Sequence, residues 1–156
     1  MITFARTSNH DLPLPSRSTE LAAGVDLRAN LGYLPNGETR VLTMRPGDEF
    51  MVPTGWAVDL GTDTVGLLCP RSGLGGREGL VIGNLVGTID GDFRGELRMA
   101  LWYRKSEGPP LTITHGDRVA QLVLASRSTH EIVEGVTEDL CLTSRDDAGF
   151  GSSGVA

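Results

Sequence analysis

Apolar positions along this chain come in short runs broken by glycine, proline and charge, and no helical period of any length appears. In residues 21–29, LAAGVDLRA, the residues Val25, Leu27 and Ala29 alternate with Asp26 and Arg28, the period of a strand with one polar face. Ahead of it, residues 1–10 mix apolar and polar positions and lead into the Pro/Ser-rich DLPLPSRSTE, and together they read as an edge strand and a loop. Turn signals fill residues 30–48 around a short strand at 39–44, and a longer strand follows at 51–60. VGLLC at 65–69 reads as a buried strand stopped by Pro70, which cannot donate to a ladder. RSGLGGREGL at 71–80 reads as a loop with room for one helical turn. Residues 81–90 and 93–104 read as strands flanking a turn, and 111–126 as a strand, a His-Gly-Asp turn and another strand. Residues 128–140 read as a final strand region. From about residue 143 the chain, TSRDDAGFGSSGVA, is too polar and glycine-rich to pack by itself. Many short strands with turn signals between them predict an all-β fold: a sandwich, jelly roll or barrel.

Composition narrows this picture. The 156 residues suit one domain, and Gly 21 and Pro 8 agree with many turns. The apolar runs fall short of the roughly 18 residues of a membrane span, so no membrane association is expected. MITFARTSNH has no apolar leader-like core. Cys69 and Cys141 stand singly in apolar contexts and read as buried thiols in a reducing, cytoplasmic compartment. A net charge of −6 argues against a nucleic-acid surface. The cations are thirteen arginines and one lysine, Lys105. Arginine's flat fork suits phosphate, so a small polyanion can still bind where several arginines converge. The same bias reads equally as a composition effect of the genome.

Four stretches carry candidate chemistry. In GNLVGTIDGDFRGEL at 83–97, Asp90 ends an apolar run and can activate a water within hydrogen-bond reach. Asn84 lies on the same run and its amide needs partners. The stretch also reads as a hairpin turn with solvated aspartates. In PRSGLGGREGL, Arg71, Ser72 and the backbone N–H groups can cradle an anion, although the GK[ST] element of a phosphate loop is missing. In GDRVAQLV at 116–123, Gln121 faces opposite to Ala120 and Leu122 and can donate to a phosphate, while Asp117 and Arg118 read as solvated turn charges. In the tail, Arg145, Phe150, Ser152 and Ser153 form either a disordered terminus or a lid that stacks on a flat ring and closes over phosphates. His10, His115 and His130 show no metal-ligand spacing.

Taken together, AGVDLRA at 23–29, PRSGLGGREG at 70–79, GNLVGTIDGDFRGEL at 83–97, GDRVAQLV at 116–123 and RDDAGFGSSG at 145–154 resemble, in order, the five motifs of the trimeric dUTP diphosphatases (dUTPases). The resemblance implies a jelly-roll-like distorted β-barrel over residues 1–142 and a flexible arm over 143–156 that closes the active site. It implies a homotrimer with three sites at subunit interfaces. It also implies Mg²⁺ bound through substrate phosphates and waters, with no direct protein ligand, and attack of water on the α-phosphorus of dUTP to give dUMP and pyrophosphate. Carried over residue by residue, Asp90 activates the water. Asn84 reads uracil with the backbone of Gly87, Thr88 and Ile89. Phe93 packs under the deoxyribose. Arg71, Ser72, Gly73 and Gln121 hold phosphates, and Asp26 supports the metal–water network. Phe150 stacks on uracil, while Arg145, Gly151, Ser152 and Ser153 close over the β- and γ-phosphates.

The chain departs from the family pattern at named places. Phe93 stands where a tyrosine is usual, so stacking survives and a hydroxyl hydrogen bond is lost. Val25 replaces an often aromatic residue. Asp146 and Ala148 replace two glycines of the arm, and Asp147 adds a second acid. The fold-sharing dCTP deaminases place a catalytic glutamate at the position of Ala100, which weighs against deamination. A regulatory protein partner stays open, as does a binding module without turnover.

Overall fold

The structure, a computed structural model, describes residues 1–137, 140, 141 and 143. Eleven strands and one five-residue helical turn make up its regular structure. In chain order the strands are β1 (Thr3–Arg6), β2 (Ser16–Arg17), β3 (Gly24–Arg28), β4 (Val41–Met44), β5 (Glu49–Asp59) and β6 (Thr64–Pro70). The helical turn, Leu74–Glu78, leads to β7 (Leu80–Ile82), β8 (Gly87–Ile89), β9 (Glu96–Tyr103), β10 (Leu111–Thr114) and β11 (Arg118–Ser126). The turn ends on Gly79 at φ 79°, a left-handed conformation that glycine adopts without a Cβ clash.

The strands form three antiparallel sheets, in the orders β1-β5-β9-β7, β2-β3-β11-β6-β8 and β10-β4. Alternation explains which faces meet. In β9, Leu97, Met99, Leu101 and Tyr103 are buried, and in β3 Val25 and Leu27 are buried while Asp26 and Arg28 stay half-exposed. One apolar cluster joins all three sheets, with Leu27, Leu68 and Leu122 from one, Val52, Val58 and Met99 from another, and Met44 and Ile113 from the third. This is the all-β, jelly-roll-like architecture that the pattern predicts.

Three readings need correction. Residues 128–140 show no strand among the described residues; Ile132, Val133, Val136 and Leu140 are exposed there, because their alternation finds no partner strand within one chain. The run at 81–90 is two strands, not one: β7 pairs with β9, the chain turns, and β8 pairs with β6 in the other sheet. Asn84 therefore sits in an exposed turn rather than on a strand. Cys141 is exposed, since it lies past the last strand with nothing to pack against, while Cys69 is half-buried. Burial pushes the Cys69 thiol above its ordinary value.

Candidate active site

The first cluster forms where β3, β11 and β6 run side by side. Asp26 pairs in register with Gln121, and Gln121 with Cys69. Asp26 accepts Arg71 Nε on Oδ1 at 3.0 Å and Arg118 Nη1 on Oδ2 at 3.0 Å. Arg71 Nη1 also donates to the Arg118 carbonyl at 3.2 Å. Both oxygens of Asp26 are thus used by cations, and the carboxylate orients two guanidinium groups that stay partly open to solvent. Gln121 Nε2 donates to the Pro70 carbonyl at 3.0 Å. A cleft of about 490 Å³ opens over this group, lined by Ser18, Gly24, Asp26, Arg71, Ser72 and Gln121 among others.

Two local features build the cleft. A Cβ on Gly24 would stand 2.1 Å from Gln121 Oε1, so only glycine lets the amide lie across β3. The pairing of β11 with β3 shifts between Arg118 and Ala120, and Val119 and Ala120 are both buried. This bulge turns Arg118 to the face of Asp26. The sequence reads Arg118 with Asp117 as adjacent solvated turn charges, and the register shift, which alternation cannot show, puts Arg118 on Asp26 instead. Asp117 has a structural task instead: its Oδ2 accepts the Thr114 N–H at 2.8 Å and closes the β10–β11 turn.

The second cluster is the β7–β8 turn and the segment after β8. Leu85 has φ 64°, and the Val86 N–H donates to the Asn84 carbonyl at 2.7 Å, a strained three-residue turn of the kind that marks functional sites. The Asn84 amide folds close to Gly87, with Nδ2 3.4 Å from where a Gly87 Cβ would stand, an ordinary contact distance. Leu85, Val86 and Phe93 are exposed large apolar side chains, an unusual concentration for one hairpin. The Phe93 ring lies over Gly95, whose Cβ would come within 2.7 Å of it. Asp90 follows β8 directly; it is exposed, and no side-chain hydrogen bond reaches its carboxylate among the described residues. It lines a separate cavity of about 730 Å³ with Asp59, Gly61, Asp92, Arg94 and Arg127.

The chain does not bring these two clusters together. Ile89 pairs with Gly66 near the start of β6, whereas Arg71 follows its last residue, Pro70. Five residues of extended chain separate Gly66 from Arg71, roughly 16 Å at about 3.3 Å per residue, and the two cavities share no lining residue. Arg145, Phe150, Gly151, Ser152 and Ser153 lie outside the described residues.

The dUTPase family model matches residues 10–154. A deoxyuridine 5'-triphosphate nucleotidohydrolase of Hahella chejuensis is 38% identical over 147 residues, covering 94% of this chain and 90% of its own. The chain belongs to the dUTPase family. A second member, from Alcanivorax borkumensis, is 40% identical over 144 residues, covering 92% of this chain and 89% of its own. Among solved structures, the G164S mutant of the Staphylococcus bacteriophage 80alpha dUTPase with dUpNHpp matches at a TM-score of 0.80 and 24% identity, covering 99% of both chains. A mutant dUTPase from phage phi11 of S. aureus, whose structure reveals coordination of a structural Mg(II) ion, matches at a TM-score of 0.71 and 22% identity, covering 86% and 96%. At these identities the two structures speak for the dUTPase fold. Both clusters fall inside the matched family span, and the strained β7–β8 turn carries the Asn84–Asp90 stretch that the resemblance singles out.

Proposed function

We propose that this dUTPase hydrolyses dUTP to dUMP and pyrophosphate in sites built between copies of the chain, as a homotrimer. One observation carries the reading: Arg71, Ser72 and Gln121 line one cleft with Asp26, whose carboxylate also holds the Arg118 guanidinium, at the far end of β6 from Asp90. That cleft suits a phosphate chain, with the Arg71 fork, a hydroxyl, an amide and the backbone N–H groups of a glycine-containing loop, and with the Arg118 charge held beside it. The span between it and Asp90 is wider than a triphosphate, so a neighbouring chain's cleft would face the Asp90 turn.

In this reading the β7–β8 turn and β8 receive the nucleoside. Asn84 and the backbone of Gly87, Thr88 and Ile89 bond the uracil edge, and Phe93 packs on the deoxyribose. Asp90 accepts the proton of a water whose oxygen attacks the α-phosphorus. The bond from that phosphorus to the bridging oxygen breaks, and pyrophosphate leaves from the cleft side. Such a reaction makes little covalent demand on the protein, so positioning and charge stabilisation supply the acceleration. Arg145, Gly151, Ser152 and Ser153 of the 143–156 arm close over the β- and γ-phosphates while Phe150 covers the base.

The donor set fits Mg²⁺ carried in by the substrate. Asp26 is committed to two arginines, and the phosphates and water would supply the oxygen ligands a hard cation requires. When bound, the ion neutralises phosphate charge; Asp26 acts on it only through the arginine and water network.

Pyrophosphate release measured with dUTP, dCTP, dTTP and UTP tests the reading. Release from dUTP with little from the other three supports it. Retained dUTP binding without release from any nucleotide overturns it in favour of a binding module.

A further inference from the structure

Among the described residues no side chain bonds the Asp90 carboxylate, and the Asp90 backbone is held by a connected set of contacts. The Phe93 N–H donates to the Asp90 carbonyl at 3.1 Å and closes a four-residue turn. Arg94 folds back beneath it. Its Nη1 donates to the Gly91 carbonyl at 2.7 Å and to the Phe93 carbonyl at 3.0 Å. Its Nη2 lies 3.1 Å from Asp59 Oδ1. That same Asp59 oxygen accepts the Gly61 N–H at 3.0 Å, so one carboxylate fixes both the β5–β6 turn and the arginine. The two turns also meet directly: a Cβ on Gly91 would stand 2.4 Å from the Gly61 carbonyl oxygen. Past the end of β11, Arg127 pins the β5–β6 turn in its turn, with Nε on the Thr62 carbonyl at 2.7 Å and its N–H on the Asp63 carbonyl at 2.9 Å.

We propose that Arg94, anchored by Asp59, is a positioning residue that sets where the Asp90 carboxylate stands; this rests on the reading of Asp90 as the base. An exposed ion pair by itself contributes little to stability, and both partners here are more than half exposed. The information lies in the geometry. A rigid guanidinium reaches two carbonyls and a carboxylate at once, which the point charge of lysine cannot reproduce. The Asp90 turn is therefore clamped onto the β5–β6 turn by a guanidinium already engaged with two carbonyls and a carboxylate. Loss of such a clamp misplaces the base and acts on turnover rather than on binding.

The test measures kcat, KM for dUTP and dUpNHpp affinity for the wild type, Asp90→Asn, Arg94→Gln, Arg94→Lys and Asp59→Asn. The expected result is a fall in kcat of about tenfold for Arg94→Gln, with KM and analogue affinity within about twofold. Arg94→Lys should recover only part of the loss. Asp59→Asn should lower kcat less, and the Asp59→Asn/Arg94→Gln pair should be no worse than Arg94→Gln alone. The thermal midpoint should barely move in any of them. A wild-type kcat in Arg94→Gln beside an inactive Asp90→Asn overturns this inference and leaves the dUTPase reading standing. A change in KM with kcat intact also overturns it. An inactive wild type, or an active Asp90→Asn, removes the reading on which it rests.

Discussion

At the residue scale, the site depends on a few atoms that are present or missing. Asp90→Asn should lower kcat by about 10²–10⁴ with dUTP binding retained; near-normal turnover would take the base role from Asp90. Gly24→Ala puts a methyl where Gln121 Oε1 now lies. It should raise KM for dUTP severalfold with the fold intact, read by circular dichroism beside steady-state kinetics; an unchanged KM would remove Gln121 from phosphate binding. Phe93→Tyr restores a hydroxyl to a ring already seated over Gly95, worth about 0.5–1.5 kcal/mol if it finds a partner. Asp90, Arg71 and Gln121 are legible in the sequence because each interrupts an apolar or glycine-rich stretch. Arg118 is not legible, since a single bulge in β11 changes the face on which it stands.

At the element scale, one tie braces the strands that carry the site. The β10–β11 turn is fastened to the loop before β2 through His115, a buried residue in a sequence position that reads as ordinary polar. His115 Nδ1 accepts the Leu31 and Gly32 N–H groups at 3.1 and 3.2 Å, and Nε2 donates to Asp11 Oδ1 at 3.0 Å. Tyr33 donates its hydroxyl to the other Asp11 oxygen. The Tyr33 bond, followed by that of His115, lowers the Asp11 carboxyl from 3.8 to about 2. A carboxyl lowered in the folded state stabilises the fold above its unfolded value, and that contribution fades as pH falls through the folded one. The melting temperature should therefore drop between about pH 4 and 2 more steeply in the wild type than in Asp11→Asn. Parallel curves would show that the tie carries no stability. Alternation found β3 from the sequence, because it keeps one buried face, and apolar runs between turn signals marked β5, β9 and β11. They did not show that residues 81–90 change sheets: a strained turn at Leu85 has no composition signal of its own.

At the scale of the whole molecule, the fold places the phosphate cleft and the Asp90 turn near opposite ends of β6 and leaves both open. The all-β class and the five motifs are readable in one chain, whereas in the proposed function cleft and turn meet only between chains. The run Ile132, Val133 and Val136 reads as a strand from its apolar content but is exposed and unpaired with any strand among the described residues. Removal of residues 144–156 should leave the oligomer folded and cut turnover strongly, as checked by sedimentation and pyrophosphate release. Full activity would sink the closing role of the arm.

Mixing two inactive variants tests the shared site most directly. Asp90→Asn and Arg71→Gln proteins, each inactive alone, are denatured together in equal amounts, refolded and assayed for pyrophosphate release from dUTP. If each site takes Asp90 from one chain and Arg71 from another, about one quarter of the sites regain both groups, and activity returns to about that fraction of wild type. If every chain builds its own site, no mixed oligomer recovers activity, and the account is contradicted.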